Sequence, residues 1–179
     1  EDFDPIPPNE IVRWDDQRLL EHPAVPRDWE GETVVVIASG PSLKEDQIAY
    51  VKKMHRAGKC KVIGVNNTWH LYPGIDAIYA LDPVWWREYK PEKFYEDNAK
   101  YKKPEFWCGH ERCVVYDAKF SGLMPMGNGC NSGLHGVILA ARKGAAKIIL
   151  LGFDYSVEDG RHWHRDHPAH MRNPDAVKC

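Results

Sequence analysis

Thr33-Val-Val-Val-Ile-Ala-Ser-Gly-Pro-Ser-Leu43 is the stretch that decides the fold of this chain. Val34, Val35, Val36 and Ile37 form an unbroken β-branched run, the pattern of a strand buried on both faces. Ser39, Gly40, Pro41 and Ser42 break it with a small, hydroxyl-bearing turn. From Leu43 the spacing predicts a helix over about 44–57, closed by Gly58. Ile48, Val51 and Met54 fall on one side of it, and Lys44, Glu45, Lys52 and Lys53 on the other. A buried strand, a small-residue loop and a helix N-terminus in succession make a common cradle for a phosphate or nucleotide. Ser42 has a second reading, because Glu45 stands three residues later and the pair also spells a capping box. Gly40 is then the better mark of close backbone approach.

The same grammar repeats along the chain. Lys61–Val65 reads as a second buried strand ending at Asn66-Asn67, and Asp76–Leu81 as a third ending at Asp82-Pro83. Residues Trp85 to Lys103 read as helix plus loop, with short strands at Glu105–Cys108 and Cys113–Tyr116. Gly127-Asn-Gly-Cys-Asn-Ser-Gly133 is a second small-residue loop. It opens a helix with Leu134, Val137, Ile138 and Ala141 on one face, stopped by Gly144. Lys147–Leu151 is another unbroken apolar run, expected to be buried, and ends at Gly152-Phe153-Asp154. Strands alternating with helices predict an α/β domain with a mainly parallel sheet, a single domain over 31–179. Residues 1–30, rich in proline and acid with a helical candidate from Glu10 to Leu20, read as an N-terminal arm over the core. Beyond Asn173-Pro174 no closing strand or helix follows, so a continuation or a disordered end is expected.

Composition narrows the classes. A chain of 179 residues suits one domain with a sizeable core. Its 43% hydrophobic and 28% charged residues are those of an ordinary globular protein. A net charge of −2 gives no global footprint for nucleic acid. No apolar run approaches the ~20 residues of a membrane span, and no signal-peptide pattern opens the chain. Five irregularly spaced cysteines argue for reduced thiols and a cytoplasmic setting. Cys108 and Cys113 bracket His110, which raises zinc, but the spacing suits no common knuckle and no second pair follows. Of the seven tryptophans, Trp14, Trp29, Trp85, Trp86 and Trp163 stand beside charges, as around a cleft; core packing accounts for most of them.

In a parallel sheet, ligands bind beyond the carboxyl ends of the strands. That rule selects Ser39, Gly40 and Ser42, then Asn66 and Asn67, then Asp82, and finally Asp154 with Tyr155. The loop from Asn128 to Ser132 can aim backbone N–H groups at the same crevice. Amides and hydroxyls satisfy ribose, base edges and phosphate oxygens without adding charge, although Asn66-Asn67 also suits a plain turn. The tail carries His162-Trp-His-Arg-Asp-His167, the letters of metallo-β-lactamase-like hydrolases. Context argues against that family, whose motif stands early in a β-rich domain, whereas Pro168 follows here and the chain is nearly over. His162, His164, Asp166, His167 and His170 keep a metal site open, and a histidine acting as general acid or base is the more economical use. A solvated histidine loop is the third reading.

A strand entering Gly-Pro-Ser-Leu, and a later Ser-Gly helix feeding a strand that ends Gly-Phe-Asp-Tyr, together resemble a Rossmann-like superfamily. It includes bacterial CMP-sialic-acid-dependent sialyltransferases and 6-hydroxymethylpterin pyrophosphokinase-like proteins. Ala-Ser-Gly-Pro-Ser-Leu, Leu-Asp-Pro-Val-Trp-Trp and His-Trp-His-Arg-Asp-His-Pro more narrowly resemble uncharacterised phage and prophage proteins. The likeness runs from about residue 30 to 174. It implies a three-layer α/β/α fold and a nucleotide or nucleotide-sugar ligand held by Gly40, Pro41, Ser42 and Asn66. Asn131, Ser132 and Gly133 would contact the sugar donor. The sialyltransferase branch implies no metal, with Tyr155 near the leaving phosphate and His162, His164 or His167 as base; Ser156 stands where a second aromatic is expected. The pyrophosphokinase branch implies Mg²⁺ held by Asp82 and Asp154. A phage origin implies the host cytoplasm, and either a homo-oligomer or a place in a phage particle.

Overall fold

The computed structural model describes residues 7–10, 25–121 and 131–154. Strands β1 (Thr33–Ile37) and β2 (Lys61–Val65) form where the β-branched runs demand them. Val34, Val36, Val62 and Ile63 have no solvent exposure at all, as befits central strands covered on both faces. With β3 (Ala77–Tyr79), β4 (Glu105–Cys108), β5 (Lys119–Phe120) and β6 (Lys147–Leu151) they build a six-stranded sheet in the order β5-β4-β3-β2-β1-β6. Every neighbouring pair is parallel. The chain therefore walks outward from β1 to β5 and then returns to lay β6 on the other side of β1. This reversal creates a topological switch point between β1 and β6, where ligand crevices of open α/β sheets form.

Two cores flank the sheet, giving an α/β/α sandwich. On one face Val35, Ile37, Val62 and Ile78 pack beneath α1 (Glu45–Arg56), α2 (Pro83–Tyr89) and α3 (Pro91–Asp97), which supply Ile48, Val51, Trp85, Trp86 and Tyr95. On the other, Val34, Val36, Ile63, Val65 and Tyr79 meet Leu139 and Ala140 of α4 (Ser132–Arg142). Each fully buried aliphatic contributes about 1.5–3 kcal/mol. The five described tryptophans, Trp29, Trp69, Trp85, Trp86 and Trp107, are all buried, so they are core; Trp14 and Trp163 lie outside the described residues.

Several expectations are corrected. Lys44 is the N-cap of α1 and its backbone N–H donates to the Gln47 side chain at 2.9 Å, so the Ser42–Glu45 capping box does not form. Cys113–Tyr116 is not a strand but part of a 3₁₀ helix over Glu111–Tyr116, which buries Cys113 and Val114. Its first turn is capped by His110, whose Nδ1 accepts from the Arg112 N–H. β3 is shorter than the expected Asp76–Leu81 at both ends: the Asp76 carboxylate accepts the Val62 N–H at 2.8 Å and stands beside His55 Nε2 at 2.9 Å, and the Leu81 N–H is given to Ser132 Oγ. Strand β5 carried no readable signal over its two residues.

The buried face of α4 is His135, Gly136, Leu139 and Ala140, not Leu134, Val137, Ile138 and Ala141. Small residues let this helix come close: a Cβ on Gly136 would stand 3.0 Å from Val65 Cγ2 and 3.3 Å from Val36 Cγ1. β6 is an edge strand rather than a doubly covered one, with Ile149 and Leu150 37% and 46% exposed. A groove of about 530 Å³ runs between β6 and α1, lined by Val35, Tyr50, Met54 and Ile149 among others. Of the N-terminal arm, residues 7–10 and the stretch from Val25 are described; the helical candidate from Glu10 to Leu20 lies, beyond Glu10, outside the described residues.

Candidate functional site

The loops at the carboxyl ends of the strands form a continuous rim. The β1 and β6 chains stay zipped past their last paired residues: Ala38 N–H donates to Leu151 O at 2.8 Å and Gly40 N–H to Gly152 O at 2.9 Å. Ser42 then donates its N–H to Asp154 Oδ2 at 2.9 Å and its hydroxyl to Asp154 Oδ1. Gly40 is glycine because of this closure. A Cβ there would collide with the Asp154 carboxylate and stand 2.5 Å from Gly152 O. Gly152 itself has φ +68 and presses on Ala38 O, so both requirements for glycine apply.

From β6 the rim passes to α4, where a Cβ on Gly133 would stand 3.1 Å from the Phe153 ring. It continues to β3, because Ser132 Oγ accepts the Leu81 N–H at 3.1 Å. On the other side, Thr68 Oγ1 donates toward Ile37 O and Val65 O, both at 3.0 Å, and ties the β2 end to β1. Thr68 is not singled out from sequence, and Gly152 and Phe153 read there as the end of the last strand without a role of their own. A glycine directly after an apolar strand was the available signal for Gly152.

Most of the polar side chains selected by the strand-end rule are engaged within the chain. Asn67 is buried and accepts from Trp85 Nε1 at 2.8 Å. Asp82 caps α2, taking the Val84 N–H at 2.8 Å, and Asn131 caps α4, taking the Leu134 N–H at 2.9 Å. With Leu134 served, the Ser132 and Gly133 amides are the helix N–H groups left without an intrahelical acceptor. Pro41 occupies the turn between Gly40 and Ser42.

Two side chains differ. Ser39 Oγ is buried with no hydrogen-bond partner, and the Asn66 amide makes no hydrogen bond among the described residues. The paired register of β1 and β2 runs from Val34 opposite Lys61 to Ile37 opposite Gly64; Ser39 and Asn66 follow in the segments just beyond it, Asn66 as the first residue of a 3₁₀ helix over Asn66–His70. Asn66 has φ +50, a left-handed conformation that asparagine tolerates better than most residues. Unspent hydrogen-bonding capacity thus remains just beyond the ends of two adjacent strands, β1 and β2.

Behind the rim lies a buried polar cluster that the sequence did not advertise. Tyr79 Oη and His135 Nδ1 are 2.8 Å apart, Tyr79 Oη and Ser121 Oγ 3.4 Å, and Ser121 Oγ donates to Cys108 O at 2.8 Å. Burial lowers the His135 pKa from its ordinary value, and its Nε2 has no partner.

No group of three or more potential metal ligands occurs among the described residues. Cys108 Sγ donates to His110 O at 3.1 Å, and burial raises the pKa of the Cys113 thiol. Tyr155, His162, His164, Asp166, His167 and His170 lie outside the described residues. No helix among the described residues is long and apolar enough to cross a membrane.

Sheet order and crossover define an α/β protein with a parallel sheet and a topological switch point between β1 and β6. Compared with protein-family models and with curated proteins, the chain matched none.

Proposed function

We propose that this protein is a nucleotide-binding, glycosyltransferase-like enzyme that uses a nucleotide-activated sugar donor. The observation that carries the reading is unspent polar capacity just beyond the adjacent strands β1 and β2, beside the switch point: the Asn66 side-chain amide, and the Ser39 hydroxyl, which is buried without a partner. Such groups suit the base edge or ribose of a nucleotide, and the first amides of α4 suit its phosphate. The reaction in this reading is displacement of the nucleoside phosphate from the sugar, with rim amides and Tyr155 stabilising the departing charge. A histidine among His162, His164 and His167 takes the acceptor's proton. In this role no metal is required. The reading sets the protein in the cytoplasm, the host's for a phage-encoded chain, and the free thiols of Cys60, Cys108 and Cys113 are consistent with that setting.

The test is a thermal-shift panel of cytidine, uridine and purine nucleotides on the full chain. A pyrimidine nucleotide is expected to raise the melting temperature, and Asn66→Gly to remove most of the rise without lowering the unliganded melting temperature. A panel that moves nothing rejects the reading.

A second reading is favoured by a specific observation, the internal use of Ser42, Asn67, Asp82, Asn131 and Asp154. A phage accessory or virion-associated protein that keeps the fold without catalysis would show this closure. Recovery of the chain as a stoichiometric component of particles, with no nucleotide response, would decide for it. The Mg²⁺- or Zn²⁺-dependent pyrophosphokinase or hydrolase alternative would use Asp82, Asp154 and the histidine tail, the two carboxylates ligating through the lone pairs that Val84 and Ser42 leave free.

A further inference from the structure

The donors of the loop after β1 already hold an anion, and it belongs to the chain. Ser42 gives both its N–H and its hydroxyl to the Asp154 carboxylate, and the Gly40 N–H is committed to Gly152 O. Asp154 lies so close that it fills the space a Cβ on Gly40 would occupy. A phosphate brought to this loop must either displace Asp154 or lie against its charge. Each carboxylate oxygen offers two lone-pair directions, and Ser42 uses one on each. Asp154 is only partly buried, so the capacity it retains is that of an exposed acceptor for O–H donors. The loop that looks like a phosphate cradle in the sequence therefore presents the opposite chemistry at its surface.

We infer that Asp154 is a specificity-determining residue of the switch point. It selects a hydroxyl-bearing face of the ligand, the vicinal diol of a ribose or of a sugar, and keeps phosphate away from the Ser39–Ser42 loop. This rests on the nucleotide reading above and adds an orientation to it: hydroxyls toward β1 and β6, phosphate elsewhere on the rim.

The experiment is calorimetric titration of the full chain with ribonucleotides, their 2′,3′-dideoxy analogues, nucleotide-linked hexoses and inorganic pyrophosphate. Removing the diol is expected to weaken binding to the unaltered chain about tenfold or more, the usual worth of a hydrogen bond to a charged group. Asp154→Ala should lose the same factor for the ribonucleotide and become indifferent to the hydroxyls. If the loss follows the hexose hydroxyls instead, the diol recognised is that of the sugar. Asp154→Ala should also bind pyrophosphate more tightly, because the Ser42 donors are then free; unchanged pyrophosphate binding together with diol-independent nucleotide binding overturns the inference. The dideoxy comparison needs no variant, so a misfolded Asp154→Ala leaves the test intact. If no nucleotide binds at all, the functional reading falls and this one with it; nucleotides that bind without regard to their hydroxyls sink the orientation alone.

Discussion

The two ends of the sheet handle polarity in opposite ways. At the amino end, charge is buried and paired. The Lys143 side chain has no exposure, yet its ammonium lies 2.7 Å from Asp28 Oδ1 and 3.1 Å from Glu105 Oε2. It also sits 4.4 Å above the Trp29 ring and 5.5 Å from that of Trp107. Nearby, Asp76 holds the Val62 N–H and His55, whose Nδ1 meets Tyr72 Oη at 2.7 Å. At the carboxyl end, Asp154 remains partly exposed, and Ser39 and Asn66 are left with unspent capacity. Buried polar groups that are fully paired specify a fold, whereas unpaired ones are tolerated where a ligand or water completes them.

The sharpest way to break this contrast is Lys143→Ala. Loss of the buried cation is expected to cost about 3 kcal/mol, the low end for breaking a buried pair, because Asp28 is 46% exposed and Glu105 28% and both can rehydrate. Urea unfolding measures it; a cost near zero would mean that the amino-end cluster is not structural. Lys143→Met, which keeps the stem against the two indoles, should lose less.

Next in size is Gly40→Val at the other end, expected to cost about 1–3 kcal/mol through overpacking against Gly152 and Asp154. The same denaturation curve checks it. No loss would show that the β1–β6 closure is looser in solution.

A neighbouring pair sharpens the comparison within a single turn. Asn67→Ala orphans the Trp85 indole N–H and should destabilise by about 1–3 kcal/mol. Asn66→Gly, which keeps the left-handed backbone comfortable, should stay within about 0.5 kcal/mol of the parent. Equal effects would erase the distinction between a structural and a site asparagine.

The smallest effect concerns pH. Burial lowers the His135 pKa below the 6.5 of a free histidine, so the unfolded chain binds the proton more readily. The stability gained by keeping this imidazole neutral is whole above pH 6.5 and drains away as the pH falls from there toward the folded-state value. Comparing unfolding free energies of the parent and His135→Gln across that interval isolates the contribution. Parallel profiles would remove His135 from the account.

How much of this was legible depended on period and length. β1, β2, β4 and α1 could be read because an unbroken apolar run or a clean amphipathic spacing has one efficient burial. The same logic misread Lys147–Leu151, since an edge strand and a central one share the same apolar letters. It misread α4 because apolar residues surround that helix, and the choice of face was made by Gly136 and Ala140, which permit close approach. At the site, the strand-end rule found the right loops but could not rank their residues. Asn66 and Asn67 are identical letters, separated by the left-handed backbone of the one and the Trp85 indole that engages the other.

The sequence by itself determined the α/β class, the strand ends and the loops that would stand at them, because hydrophobic period and turn chemistry are local. Tertiary structure alone decided which polar groups are spent. Ser42 faces Asp154 across 112 positions of chain, and no local pattern records whether a carboxylate or a ligand will take a loop's hydrogen bonds.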